Sequence, residues 1–84
     1  MKVTVVAFAT ASDVLGEDGV EIDLPAGSRV RDLGTTLGER HPKLQAMWSR
    51  LAVAVDGELV GGGHPLADGV EVALLPPVSG GSGA

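Results

Sequence analysis

The hydrophobic positions along the chain change their period several times, and each change marks an element. Residues Val3 to Ala9 are β-branched and apolar, with Phe8 near the end, which predicts a strand buried on at least one face. Asp13 to Gly19 carries turn residues around a single Val-Leu pair. Val20-Glu21-Ile22-Asp23-Leu24 then alternates strictly, the pattern of a half-buried strand whose polar edge stays wet. A hairpin over residues 3–24 follows, and Pro25-Ala26-Gly27 stops it. Ser28 is placed to cap a helix, because its hydroxyl can accept one of the free first-turn amides. Val30, Leu33 and Leu37 recur at helical spacing, while Arg29, Asp32, Glu39 and Arg40 fall on other faces. Gly34 and Gly38 each weaken such a helix by about 1 kcal/mol relative to alanine. They are expected where the helix comes too close to the sheet for a Cβ. Pro42 ends the segment, and Leu44, Met47 and Trp48 form a second short apolar stripe that closes the core.

Leu51-Ala52-Val53-Ala54-Val55 is apolar at every position, as a strand central in the sheet would be. Asp56-Gly57 turns the chain into the short strand Glu58-Leu59-Val60, a strong hairpin signal. Gly61-Gly62-Gly63-His64-Pro65 reads as a flexible loop with Leu66 packed beneath it, and Asp68-Gly69 turns the chain again. Val70 to Leu75 is the last strand, because Pro76-Pro77 forbids its continuation. The order is β-β-α-β-β-β. A parallel pairing of the first and last strands would make this an α+β fold of the β-grasp kind, a mixed sheet with one main helix across it. Residues 1–75 form that domain, and 76–84 form a tail expected to be mobile.

Composition narrows the chemistry more by exclusion than by suggestion. At 84 residues the chain holds one modest core, and with Phe8 and Trp48 its only large aromatics that core must be aliphatic. There is no cysteine, which removes a disulfide framework, a thiolate metal site and a cysteine nucleophile together. Eleven acidic residues against six basic ones leave a charge of −5, which opposes nucleic-acid binding and favours a basic partner. His41 and His64 stand alone, without the spacing of a metal site. Gly61–Gly63 lacks the Lys-Ser/Thr and the helix of a phosphate loop, and the serines lack a histidine–aspartate arrangement. No cofactor is expected to be bound. Lys2, the apolar run after it and Ala9-Thr10-Ala11 have the outline of a signal peptide. The run is short, contains Thr4 and is needed as the first strand, so a cytoplasmic protein that does not enter a membrane is expected.

The unusual feature is the ending Leu74-Leu75-Pro76-Pro77-Val78-Ser79-Gly80-Gly81. Two prolines hold an extended stalk away from the sheet. Two glycines let the peptide thread a narrow channel and bring a terminal carboxylate to a buried active site. A carboxylate is a poor electrophile until it is joined to AMP as a mixed anhydride, after which a sulfur donor can displace AMP and leave a thiocarboxylate. Taken alone, the glycines are equally compatible with a frayed Gly-Ser tail.

The stretches Val53–Val60, His64–Gly69 and Glu71–Gly81, with the Lys2–Ala9 opening and the Leu24-Pro25-Ala26-Gly27 turn, resemble the molybdopterin synthase small subunit family of sulfur carriers over nearly the whole chain. The Pro-Pro-Val-Ser-Gly-Gly ending favours this branch over the shorter thiamine-pathway carriers. The resemblance implies a ubiquitin-like β-grasp fold and adenylation of Gly81 by an E1-like enzyme that uses ATP. It also implies a Gly81 thiocarboxylate, with Pro76, Pro77, Val78, Ser79 and Gly80 in the channel. Sulfur would be delivered while docked in the molybdopterin synthase large subunit or an equivalent catalytic partner. The protein would then be a carrier without an active site of its own.

Two departures stand out. Asp68-Gly69-Val70-Glu71-Val72 replaces the family's usual Asp-Gly-Asp-Glu-Val, and Ser82-Gly83-Ala84 follow Gly81. Those three residues are either a pro-segment cut between Gly81 and Ser82, by a zinc-dependent peptidase for instance, or a functionless extension such as a cloning scar. A ubiquitin-like modifier joined to target lysines through Gly81 and a pure β-grasp interaction domain are the competing readings. In the last strand Val70, Val72 and Leu74 share one face and Glu71, Ala73 and Leu75 the other. Ala52 and Ala54 are assigned to the face of Ala73 and Leu75, which makes an apolar patch suited to partner docking.

Overall fold

A computed structural model describes residues 1–8 and 19–75. Five strands, β1 (Lys2–Ala7), β2 (Gly19–Asp23), β3 (Ala52–Val55), β4 (Glu58–Val60) and β5 (Glu71–Leu75), form one sheet in the order β2-β1-β5-β3-β4. β1 and β5 run parallel, with Val5 opposite Val72 and Ala7 opposite Leu74. The other pairings, β1 with β2, β3 with β4 and β3 with β5, are antiparallel. Helices α1 (Val30–Arg40) and α2 (Pro42–Met47), followed by a 3-10 turn at Trp48–Arg50, form the second layer.

The core is aliphatic, as the composition requires. Val30, Leu33, Leu37 and Leu44 come from the helices, and Val3, Val5, Ile22, Val53, Val55, Val72 and Leu74 from the sheet. Burying each such side chain contributes about 1.5–3 kcal/mol. Phe8 is 47% exposed and Trp48 half-buried, so neither aromatic belongs to the centre. The Asp56-Gly57 turn has positive φ at both residues, 50° and 87°, which matches the right-handed twist of the two strands that it joins.

The structure corrects several expectations. β1 closes at Ala7, and Ala9 and residues 13–18 lie outside the described residues. β3 is interior, but the central strand is β5, since β3 has β4 outside it. Ser28 is not the helix cap. It is buried, and its hydroxyl donates to the carbonyl of Pro25 at 2.8 Å. Arg29 holds the cap position, where its amide donates to the Asp32 carboxylate at 2.8 Å. The next two amides, of Val30 and Arg31, donate to the carbonyls of His64 and Gly62 at 3.0 and 2.9 Å. The glycine-rich stretch read as a flexible loop is therefore seated on the start of α1. Its carbonyls satisfy donors that would otherwise lack helical partners. Gly34 and Gly38 face the second helical segment rather than the sheet. A Cβ on Gly34 would lie 2.4 Å from Trp48 Cε2, and one on Gly38 would lie 2.9 Å from Gln45 Cβ.

Candidate functional site

Strand register decides which side chains share the outer face of the sheet, away from the helices. Successive residues of a strand point to opposite faces. Because Val3, Val5, Ala7, Val72 and Leu74 are buried in the core, Lys2, Thr4, Val6, Glu71, Ala73 and Leu75 point outward. Ala54 lies opposite Ala73, Ala52 opposite Leu75 and Leu59 opposite Ala54, which carries this face across β3 and β4. All four residues assigned to a docking patch, Leu75, Ala73, Ala52 and Ala54, thus stand on one face. Their exposure differs. Ala52, Ala73 and Leu75 are half-buried, whereas Ala54 is buried.

The face is graded along the strands. Lys2, Glu21, Asp23 and Glu71 cluster at the end where β1 and β5 begin, joined there by Thr4. The opposite end, where β5 stops at Leu75, holds Val6, Ala52, Ala73 and Phe8. The Phe8 amide donates to the carbonyl of Leu74 at 3.1 Å, which extends the parallel pairing one residue past β1. Leu59 is 68% exposed at the β4 edge of the same face. An apolar surface therefore adjoins the point from which residue 76 continues. The sequence reading missed Val6, Phe8 and Leu59. Val6 and Phe8 share the parity of Lys2 and Thr4, the two polar residues of β1, which was the available signal; for Leu59 only the β3–β4 register supplies it.

Pro76, Pro77, Val78, Ser79, Gly80, Gly81 and Ser82 lie outside the described residues. Among the described residues no cluster of three or more His, Asp or Glu side chains could hold a metal ion, and no helix is long and apolar enough to cross a membrane.

A mixed five-stranded sheet with a helix across one face, and an apolar patch beside the exit of the last strand, defines a ubiquitin-like β-grasp protein. Residues 5–81 match the ThiS family, and the chain belongs to that family. It is 36% identical over 81 residues to the molybdopterin synthase sulfur carrier subunit of Escherichia coli strain K12, a match spanning 94% of this chain and 99% of the relative. It is 33% identical over 82 residues to small archaeal modifier protein 1 of Haloferax volcanii, spanning 88% and 94%. A candidate molybdopterin converting factor subunit 1 from Pyrococcus furiosus superposes with a TM-score of 0.85 at 36% identity, covering 93% of this chain and 99% of that one. In a complex of subunits 1 and 2 of the molybdopterin-converting factor from Helicobacter pylori, the matching chain superposes with a TM-score of 0.68 at 26% identity. That match covers 95% and 99% of the two chains.

Proposed function

We propose that this protein is a sulfur carrier for molybdopterin synthesis or a chemically equivalent pathway, charged at Gly81. The observation that carries the reading is the family match, which runs through the Gly80-Gly81 pair and stops there. An oxygen of the Gly81 carboxylate attacks the α-phosphorus of ATP on an E1-like enzyme, pyrophosphate leaves, and an acyl adenylate forms. A sulfur donor then attacks the acyl carbon and expels AMP, leaving a C-terminal thiocarboxylate. No side chain of the carrier takes part, in keeping with a chain that has no cysteine.

The carrier's contribution is presentation. The patch around Leu75, Ala73, Ala52, Phe8 and Leu59 would dock on the activating enzyme, and afterwards on the acceptor. Leu75, the last described residue, belongs to this patch, so the chain leaves the sheet beside it. The H. pylori complex of subunits 1 and 2 of the molybdopterin-converting factor supports an acceptor that is a second, separate subunit. Gly81 must be the last residue for this chemistry, so Ser82-Gly83-Ala84 must first be removed, by a metallopeptidase in our reading. The site of action is the cytoplasm, where ATP and the activating enzyme are available.

The test is direct. Full-length protein mixed with an E1-like enzyme, ATP and a sulfur donor should stay uncharged, whereas a chain ending at Gly81 should gain the mass difference of sulfur for oxygen. Charging of the full-length form with Ala84 still in place would refute Gly81 as the reactive end. The similarity to small archaeal modifier protein 1 supports a second reading, attachment of Gly81 to a lysine of another protein. An isopeptide-linked adduct recovered from the native cell, in place of a thiocarboxylate, would establish it.

A further inference from the structure

The charges are divided between the two layers. Residues 29–50, which form the helical layer, hold Arg29, Arg31, Arg40, Lys43 and Arg50 against only Asp32 and Glu39, a net of +3 in a chain of −5. All five cations are exposed. The rest of the chain is correspondingly acidic, with one lysine and nine carboxylates. A protein with this much negative charge elsewhere presents a cationic helical side to its surroundings.

That side also carries a trough. A cavity of about 350 Å³ opens beside β4, lined by Val30, Leu51, Val53 and Val60 together with Trp48 and Ser49, and it reaches Ala52 and Leu59 at the margin of the outer face. A second, of about 260 Å³, lies between α1 and α2, lined by Arg31, Gly34, Thr35, Gln45 and the same Trp48 and Ser49. The two cavities flank Trp48 and Ser49, which line both; the first is mainly apolar, and the second carries Arg31 and Thr35. Gly34 lets the Trp48 ring that divides them pack directly on α1, at a distance that excludes any Cβ. β4 borders the first cavity and pairs with β3. Among the described residues nothing pairs with its outer edge, which can accept an added extended chain.

We propose that this trough docks an extended acidic peptide segment of a partner protein. One apolar side chain enters the cavity beside β4, and carboxylates cross Trp48 to reach Arg31. The charge of the helical layer selects an acidic occupant over a neutral or basic one. The site faces the helical layer and meets the outer face of the sheet only at Ala52 and Leu59. It does not depend on the sulfur-carrier reading.

The test uses the full chain and a blocked peptide of two leucines followed by four glutamates, with a lysine version as control. Trp48 is the only tryptophan, so its indole N–H resonance reports the trough without ambiguity. The expected result is a saturable shift of that resonance and of the amides at residues 31–35 and 45–49. Binding should weaken at least tenfold between about 0.02 M and about 0.5 M salt. Arg31→Glu should weaken binding about tenfold. An acidic residue in the first turn suits the helix dipole, so this variant should keep its fold. Should it not, Arg31→Gln is expected to weaken binding about threefold. No shift, an equal response to the lysine peptide, shifts confined to the outer face, or full affinity in a folded Arg31 variant would each overturn the proposal. Spectra of the peptide-free protein that change on dilution would assign the face to a second copy of the chain and would overturn it equally.

Discussion

Replacing Gly34 with alanine sets two effects of opposite sign against each other, and the structure decides between them. Alanine in a helix interior is favoured over glycine by about 1 kcal/mol, so an open position would be stabilised. At Gly34 the new methyl carbon would stand 2.4 Å from Trp48 Cε2, 2.6 Å from Nε1 and 2.8 Å from Cζ2. Ordinary contact needs roughly 3.5–4.0 Å, so three ring atoms must retreat by about 1 Å together. A rigid indole cannot yield one atom at a time. Forcing a methyl into a filled site costs about 1–3 kcal/mol. Because Trp48 is only half-buried and can tilt outward, the middle of that range applies. The expected net effect of Gly34→Ala is a loss of about 1 kcal/mol, or a fall in Tm of roughly 4–8 °C for a domain of this size. Thermal and urea unfolding followed by circular dichroism would measure it, and Trp48 fluorescence should shift to the red as the ring becomes wetter. The discriminating measurement is the same substitution in a Trp48→Ala background. With the ring gone only the propensity gain remains, so Gly34→Ala should there stabilise by about 0.5–1 kcal/mol, giving a coupling of about 2 kcal/mol. If Gly34→Ala raises Tm in the native background, or has the same sign in both, the close-packing argument is wrong.

Leu75→Glu should leave Tm within a few degrees of the parent, since Leu75 is half-buried at the end of β5, while weakening binding to both the activating enzyme and the acceptor by at least tenfold. Unchanged affinity for both partners in a folded variant would remove the outer face from the docking surface. Gly81→Val in a chain ending at residue 81 should abolish formation of the acyl adenylate, measured as pyrophosphate release, with no change in Tm, because the substitution lies six residues beyond β5. Adenylation at the parent rate would show that no narrow channel reads the glycine pair.

The outline of the fold is legible in local spacing. Val30, Leu33 and Leu37 announce the buried stripe of α1, the alternation of Val20–Leu24 announces a half-buried strand, and Asp56-Gly57 announces its turn. The proposed reactive end is a feature of sequence as well, because the chemistry proposed for it needs particular residue types in a row and no tertiary context. The docking face is legible only in part. Leu75 and Ala73 could be set against Glu71 by alternation, and Val6 could be set with Lys2 and Thr4, but β3 is apolar at every position and carries no phase of its own. Pairing with β5 fixes it, by placing Ala54 against Ala73.

Local spacing by itself thus determined the element order, the aliphatic core stripe and the glycine pair on which the proposed chemistry depends. The residues that cap α1, the purpose of Gly34, and the membership of Leu59 in the outer face were decided by tertiary structure alone. Ser28 has the right chemistry for a cap, yet the carbonyls of Gly62 and His64 take the amides of Arg31 and Val30. Gly34 is small because of a tryptophan fourteen positions later, not because of the sheet. A residue's period reports the backbone on which it sits, which neighbours in the chain dictate. Which surface a neighbouring segment covers depends on strand pairings that bring together residues as distant as Val5 and Val72, and no window along the chain contains both.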